Sequence, residues 1–280
     1  MNVPTGQANI KKFSFTAVLF IGLLGLVGLQ GCGSSSSTPA ITTDQNASSL
    51  FTGGITPNSG TQLTDLRAFV HEGRMIIFSV KGHFLFDGQI DDITLDNYTA
   101  TVDVYELGVK TESAIAVTGT VLSESKITAT ITGTTNLDGE ITLDYDALYT
   151  SGISFERLDT NDPDSSGRFP FVGDLRDSRT GASTANFSFD TANVFDFISR
   201  ISGPIRCSTD GTYIIPDANI NILVTDETLS KIEAGCTMSD TPNYTGFVAL
   251  VDGAFTDNTL LYASTNGENA QFAELIKELP

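Results

Sequence analysis

The chain has 280 residues, with 15 Lys and Arg against 34 Asp and Glu, a formal net charge of −19, two histidines, three cysteines and no tryptophan. So acidic a polymer is repelled by nucleic acid and by anionic lipid headgroups, which sets nucleic-acid partners aside. Its length suffices for one large β domain or two small ones.

Lys11 and Lys12 precede an apolar run from Phe13 to Leu29, and the run ends in Leu29-Gln30-Gly31-Cys32. A basic segment, an apolar segment and a small residue before a cleavage point have the layout of a bacterial export signal. The last four residues resemble the lipobox of bacterial lipoproteins. That resemblance implies removal of a signal peptide spanning 1–31. Cys32 would then carry a diacylglyceryl thioether and an N-acyl chain of the palmitate type. Two or three chains are what stable anchoring requires, since a single one binds a bilayer only reversibly. Gly33 stands where an Asp would mark inner-membrane retention in enteric bacteria. By the same resemblance the outer membrane is the expected address, on either its periplasmic or its exposed face. Two alternatives remain. One is an uncut span, which a run of about 17 apolar residues would barely allow. The other is a plain secretory signal with Cys32 incidental. Loss of residues 1–31 would leave 13 basic and 34 acidic side chains, a net charge of −21.

Residues 32–49, which contain Gly33-Ser-Ser-Ser-Ser and little that is apolar, read as a flexible tether. A linker of this composition reaches roughly 20–25 Å on average. From Leu50 onward the dominant pattern has a period of two. Tyr98, Ala100, Val102 and Val104 alternate with Thr99, Thr101 and Asp103; Ile127, Ala129 and Ile131 alternate with Thr128 and Thr130; Ile141, Leu143 and Tyr145 alternate with Thr142 and Asp144. Strands with one buried face give this pattern. Arg74 to Val80 and Phe247 to Val251 are more continuously apolar, as strands buried on both faces would be. Asp87-Gly88, Asp138-Gly139, Asp210-Gly211 and Asp252-Gly253 adjoin such runs, and Glu72-Gly73 and Lys81-Gly82 separate others. Each pair suits a hairpin turn. No long stretch has a helical period. Ala270 to Leu279 could be a short helix and is read as a closing strand. The fold class is therefore all-β, antiparallel meanders forming two small β-barrel or sandwich modules, with one larger barrel or sandwich as the alternative.

The loop-rich stretch Asp159 to Gly167 divides an N-terminal β module at 50–158 from a C-terminal one at 168–280. Once Cys32 is acylated, Cys207 and Cys236 remain in an oxidising compartment, and the expected outcome is a disulfide between them. The residues Gly203 to Cys207, Tyr213-Ile214-Ile215, Asn219 to Val224, Cys236, Tyr244-Thr245-Gly246 and Thr259 to Tyr262 are similar to those of a type of uncharacterised bacterial envelope lipoprotein. There two cysteines bracket a run of strands ahead of a Tyr-x-Gly strand and a final hairpin. The likeness supports the disulfide and the strands and implies no activity.

Candidate sites are few. His71, Glu72, His83 and Asp87 offer ligand chemistry without a ligand spacing, so no metal site is expected there. Asp162, Asp164 and Ser166, ahead of Gly167, echo the start of a calcium loop, with Asp159, Asn161 and Asp174 as further oxygen donors. Gly173 stands where the bidentate Glu of an EF-hand would be, and a solvated acidic linker is the plainer reading. There is no Gly-x-Ser-x-Gly, no His-Glu-x-x-His and no cysteine–histidine pairing. Asp91 and Asp92 are adjacent on a strand and should face opposite ways. The expected function is a non-catalytic binding or structural role in the envelope, with no cofactor. A lipocalin-like carrier of a small apolar ligand is the alternative, and a surface hydrolase a more distant one.

Overall fold

The computed structural model describes residues 48–94, 96–122, 126–145, 169–175, 183–189, 194–200, 205–216, 222–232, 243–253 and 256–277. All the regular elements among them are strands. The first eight are β1 (Ser49–Pro57), β2 (Leu63–His71), β3 (Arg74–Ser79), β4 (Phe84–Thr94), β5 (Asn97–Glu106), β6 (Val109–Leu122), β7 (Lys126–Ile131) and β8 (Gly139–Tyr145). Each pairs antiparallel with the next, and β8 returns to pair with β1, from Phe51 opposite Tyr145 to Pro57 opposite Gly139, closing a barrel. The second eight are β9 (Phe169–Leu175), β10 (Ser183–Phe189), β11 (Val194–Arg200), β12 (Ile205–Ile214), β13 (Leu223–Ile232), β14 (Tyr244–Gly253), β15 (Thr256–Thr265) and β16 (Ala270–Lys277). They form a second closed meander through pairing of β16 with β9. The expected all-β architecture takes the form of two barrels, and Ala270–Lys277 is the closing strand.

Period two explains the first barrel directly. Phe51, Ile55, Leu66, Ala68, Met75, Ile77, Phe84, Phe86, Tyr98, Val102, Val117, Ile127, Ile131, Ile141 and Leu143, drawn from all eight strands, form one buried apolar cluster. An eight-stranded barrel has an interior just wide enough for side chains to fill. In this barrel the chain's own apolar residues fill it.

The alternate positions of some strands are also buried, because the two barrels pack wall against wall. Leu50, Phe69, Ile76, Phe78, Leu85 and Tyr105 of the first barrel share a second core with Ile222, Phe247, Ala249, Leu261, Ala263 and Phe272 of the second. In β3, Met75 and Ile77 point into the barrel while Ile76 and Phe78 point at its neighbour. This accounts for the unbroken apolar runs at 74–80 and 247–251. The rings of Phe69 and Phe247 lie 5.8 Å apart and those of Phe78 and Phe272 5.9 Å.

A polar clamp borders this core. Arg74 donates two hydrogen bonds to Asp87, at 2.9 and 2.8 Å, and reaches across to Thr245 Oγ1 at 3.0 Å and Thr265 Oγ1 at 3.1 Å. The Thr265 hydroxyl in turn donates to Asp87, and the guanidinium carbon of Arg74 sits 5.4 Å from the Phe247 ring centroid. Backbone bonds cross as well. Lys110 N donates to Glu268 O at 3.0 Å and Ala270 N to Gly108 O at 2.8 Å, around a bridge between Val109 and Asn269.

Asp87-Gly88 lies within β4, Asp210-Gly211 within β12 and Asp252-Gly253 at the end of β14, paired with Asp257 and Thr256, so none of these three is itself the turn. Gly88 occupies an inward position where an added Cβ would fall 2.3 Å from Thr101 O and 2.5 Å from Val102 Cγ1, so glycine is required by close approach. Asp87 points the other way, to Arg74. Glu72-Gly73 is a true turn between β2 and β3, with φ of 47° and 75°, both in the left-handed region.

Because Phe247 lies on the shared wall, removing its ring should open a cavity between the barrels. Phe247→Ala is expected to lower stability by about 3–5 kcal/mol. Equilibrium urea unfolding checks this, and a loss below about 1 kcal/mol would mean that the wall contact contributes little.

Candidate functional site

The interior of the second barrel is built differently. Along β13, Leu223, Thr225 and Glu227 are buried while Asp226 and Thr228 are exposed, so a carboxylate occupies a position where the first barrel places an apolar residue. Cross-strand register brings Tyr244 opposite Glu227, Gly246 opposite Thr225, Ser264 opposite Gly246, and Gln271 opposite Ser264. Residues directly opposite share a face, so the four strands β13–β16 aim their polar side chains at one region.

There Glu227 Oε2 accepts from the Tyr262 hydroxyl at 2.6 Å and from Thr209 Oγ1 at 3.3 Å, while Oε1 accepts from Thr225 Oγ1 at 2.9 Å. Tyr262 Oη and Ser264 Oγ are 2.7 Å apart, a hydrogen bond in which either hydroxyl can donate. Glu227, Tyr262, Tyr244 and Ser264 have 0% exposure, and Gln271 has 1%. Among the described residues, neither Nε2 nor Oε1 of Gln271 meets a hydrogen-bond partner.

Burial dominates the electrostatics. Desolvation pushes the Glu227 carboxyl up from 4.5 to about 7, against the hydrogen bonds from Tyr262, Thr225, Thr209 and Ser264, which favour the charged form. Tyr262 is raised well above the ordinary phenol range by its own burial and by the Glu227 charge beside it. At neutral pH the cluster can therefore hold or release one proton at Glu227. Carboxyls tuned in this way occur at functional sites, and also in structural networks.

The residues singled out from sequence lie elsewhere. Cys32, Asp162, Asp164, Ser166 and Cys236 fall outside the described residues. Cys207, on β12, is buried beside Tyr244 and Leu229 and is disulfide-bonded. His71 ends β2 and His83 precedes β4, so the six residues of β3 separate them, roughly 20 Å at strand rise. Asp87 is engaged by Arg74. No group of three or more His, Cys, Asp or Glu side chains with metal-holding geometry occurs among the described residues. Asp174, considered as a calcium donor, lies in β9 opposite Thr184. Asp91 sits at a bulge in the β4–β5 ladder, where the register shifts between Ile90 and Asp92. Both acids are exposed. Asp91 accepts from the Thr101 hydroxyl at 2.8 Å.

No protein-family model matches this sequence, and no curated protein does. Among solved structures, the chain is similar to the isotype 1 transferrin binding protein B of serogroup B Neisseria meningitidis, at 9% identity and a TM-score of 0.30. The match covers 79% of this chain and 60% of that one.

The raised acidity constant of Glu227 makes a signed prediction. The folded chain holds this proton more tightly than the unfolded chain does. Stability from this group is therefore fully present below about pH 4.5 and is lost as pH rises towards 7. The loss is on the order of 3 kcal/mol. Glu227→Gln keeps the shape and removes the titration, so its stability relative to the natural chain should rise by that amount between pH 4.5 and 8. Urea unfolding of both proteins across that range checks it, and a difference that does not vary with pH would contradict it.

Proposed function

We propose that this chain is a lipid-anchored protein of the bacterial envelope with a binding or structural role and no catalytic one. The address rests on the lipobox-like Leu29-Gln30-Gly31-Cys32, with Cys32 as the acylated residue and the outer membrane as the destination. The disulfide of Cys207 is assigned to Cys236, which would staple the C-terminal barrel in an oxidising compartment.

The observation that carries the non-carrier reading is the filling of the first barrel. All eight of its strands send apolar side chains into one cluster. A carrier of apolar ligands keeps a cavity there instead. Against catalysis stands the enclosure of the titratable side chains that meet inside the second barrel among the described residues. Glu227, Tyr244 and Tyr262 have 0% exposure, whereas a reacting group must come within hydrogen-bond reach of its substrate. Recognition is therefore assigned to outer surfaces and loops.

Two experiments test the proposal. Expressed in a bacterial host with labelled palmitate, the natural chain should incorporate label and fractionate with membranes, and Cys32→Ser should do neither. Unchanged membrane association of the variant would overturn the lipid anchor. Separately, titration with a fluorescent fatty-acid analogue should give no saturable binding at micromolar concentrations. Saturable one-to-one binding would replace this reading with the carrier.

A further inference from the structure

Gln271 raises a question that the chain's own contacts leave open. Its side chain is 1% exposed, yet among the described residues neither the amide nitrogen nor the amide oxygen has a partner. Buried polar groups are nearly always hydrogen-bonded, to protein or to ordered water. An amide left alone in a low-dielectric interior is a substantial cost. The surroundings are polar as well. Gln271 stands directly across from Ser264, whose hydroxyl is 2.7 Å from Tyr262 Oη, which is in turn 2.6 Å from Glu227 Oε2.

We infer that the second barrel encloses a binding site for a small uncharged molecule that both donates and accepts hydrogen bonds, a water molecule in size and chemistry, held between Gln271 and Ser264 at the end of the Glu227–Tyr262 chain.

The chemistry selects this class. The amide needs a guest that accepts from Nε2 and donates to Oε1, and Ser264 Oγ offers a further lone pair or a further proton. An anion would be repelled by the Glu227 carboxyl whenever that group is charged, and the site holds no cationic side chain among the described residues to offset this. A cation would need three or more oxygens, whereas the carboxylate already accepts from Tyr262, Thr225 and Thr209. A small guest is the economical choice, since among the described residues Tyr244 and Tyr262 already bring two large, fully buried rings to the cluster. Water fits such a site because it needs only two to four polar partners and little volume.

The test is a substitution whose sign depends on the occupant. Gln271→Met keeps the length of the side chain and removes both amide groups. If a bound water satisfies the amide, the variant loses those hydrogen bonds and its thermal midpoint should fall by about 3–6 °C. If the amide is unsatisfied, the variant sheds a buried polar penalty, and an unchanged or raised midpoint would overturn the proposal. Should the variant not fold, the natural chain still decides the matter. Isotope-edited spectra should show cross-relaxation between water and the Gln271 side-chain amide protons, with a residence time beyond that of surface hydration. Amide protons with no contact to water would rule the site out.

Discussion

The apolar wall between the two barrels is the constraint on which the rest of the molecule depends. A closed barrel normally presents polar side chains outward, and its strands alternate accordingly. Here Phe69, Ile76, Phe78 and Leu85 on one barrel and Phe247, Leu261 and Phe272 on the other point outward and are buried only because each barrel covers the other. Fully burying one such side chain contributes about 1.5–3 kcal/mol, so the wall outweighs any single polar contact at its border. An apolar patch of that kind on an isolated barrel would be a site of association. The Arg74–Asp87–Thr245–Thr265 clamp supplies what hydrophobic contact lacks, namely direction. Its charge-assisted bonds cross from β3 and β4 to β14 and β15 and fix how the walls register.

Within that frame the two interiors are not equivalent. The first gathers apolar side chains from every one of its strands into a single buried cluster. The second contains Glu227, the carboxylate with 0% exposure among the described residues, together with Thr209, Thr225, Ser264 and Gln271. Burying an acid is unfavourable unless it is hydrogen-bonded or neutral. This one is hydrogen-bonded three times over and is also pushed towards the neutral form. A network of that kind favours one arrangement of strands over its neighbours, because a slip of one residue in β13 would leave the carboxyl without its donors and place Asp226 inside.

These differences decide what could be read from residues alone. The first barrel was legible because Tyr98-Thr-Ala-Thr-Val and Ile127-Thr-Ala-Thr-Ile separate apolar from polar positions cleanly, one face inside and one outside. The wall was legible as an anomaly, at 74–80 and 247–251, where alternation fails because both faces are covered. The Asp-Gly pairs at 87–88 and 210–211 misled, since a pair that suits a turn also suits a strand in which glycine makes room and aspartate reaches outward. The polar cluster was not legible. From Thr225 to Ser230 only Leu229 is apolar, so hydrophobic periodicity has nothing to register, and an inward glutamate looks like a solvated one. Its partners come from strands up to 35 residues away, a separation over which no local pattern carries information.

The donors around Glu227 are hydroxyls rather than lysine or arginine, and that choice matters. A cationic partner would hold the carboxyl ionised and its proton would be lost to the site. A hydroxyl can reverse its sense: Tyr262 and Ser264 can each donate to the other. When Glu227 is charged, Tyr262 donates to it and Ser264 donates to Tyr262. When Glu227 is protonated the Tyr262–Ser264 bond can run the other way, Tyr262 donating to Ser264. Either state is accommodated by rotating hydroxyls, without moving a strand. Acids such as Asp91, Asp226 and Glu274 are exposed and gain from the water around them. Glu227 is stable where it is because its surroundings accept both of its protonation states, which explains how a polar interior and a closed barrel coexist in one fold.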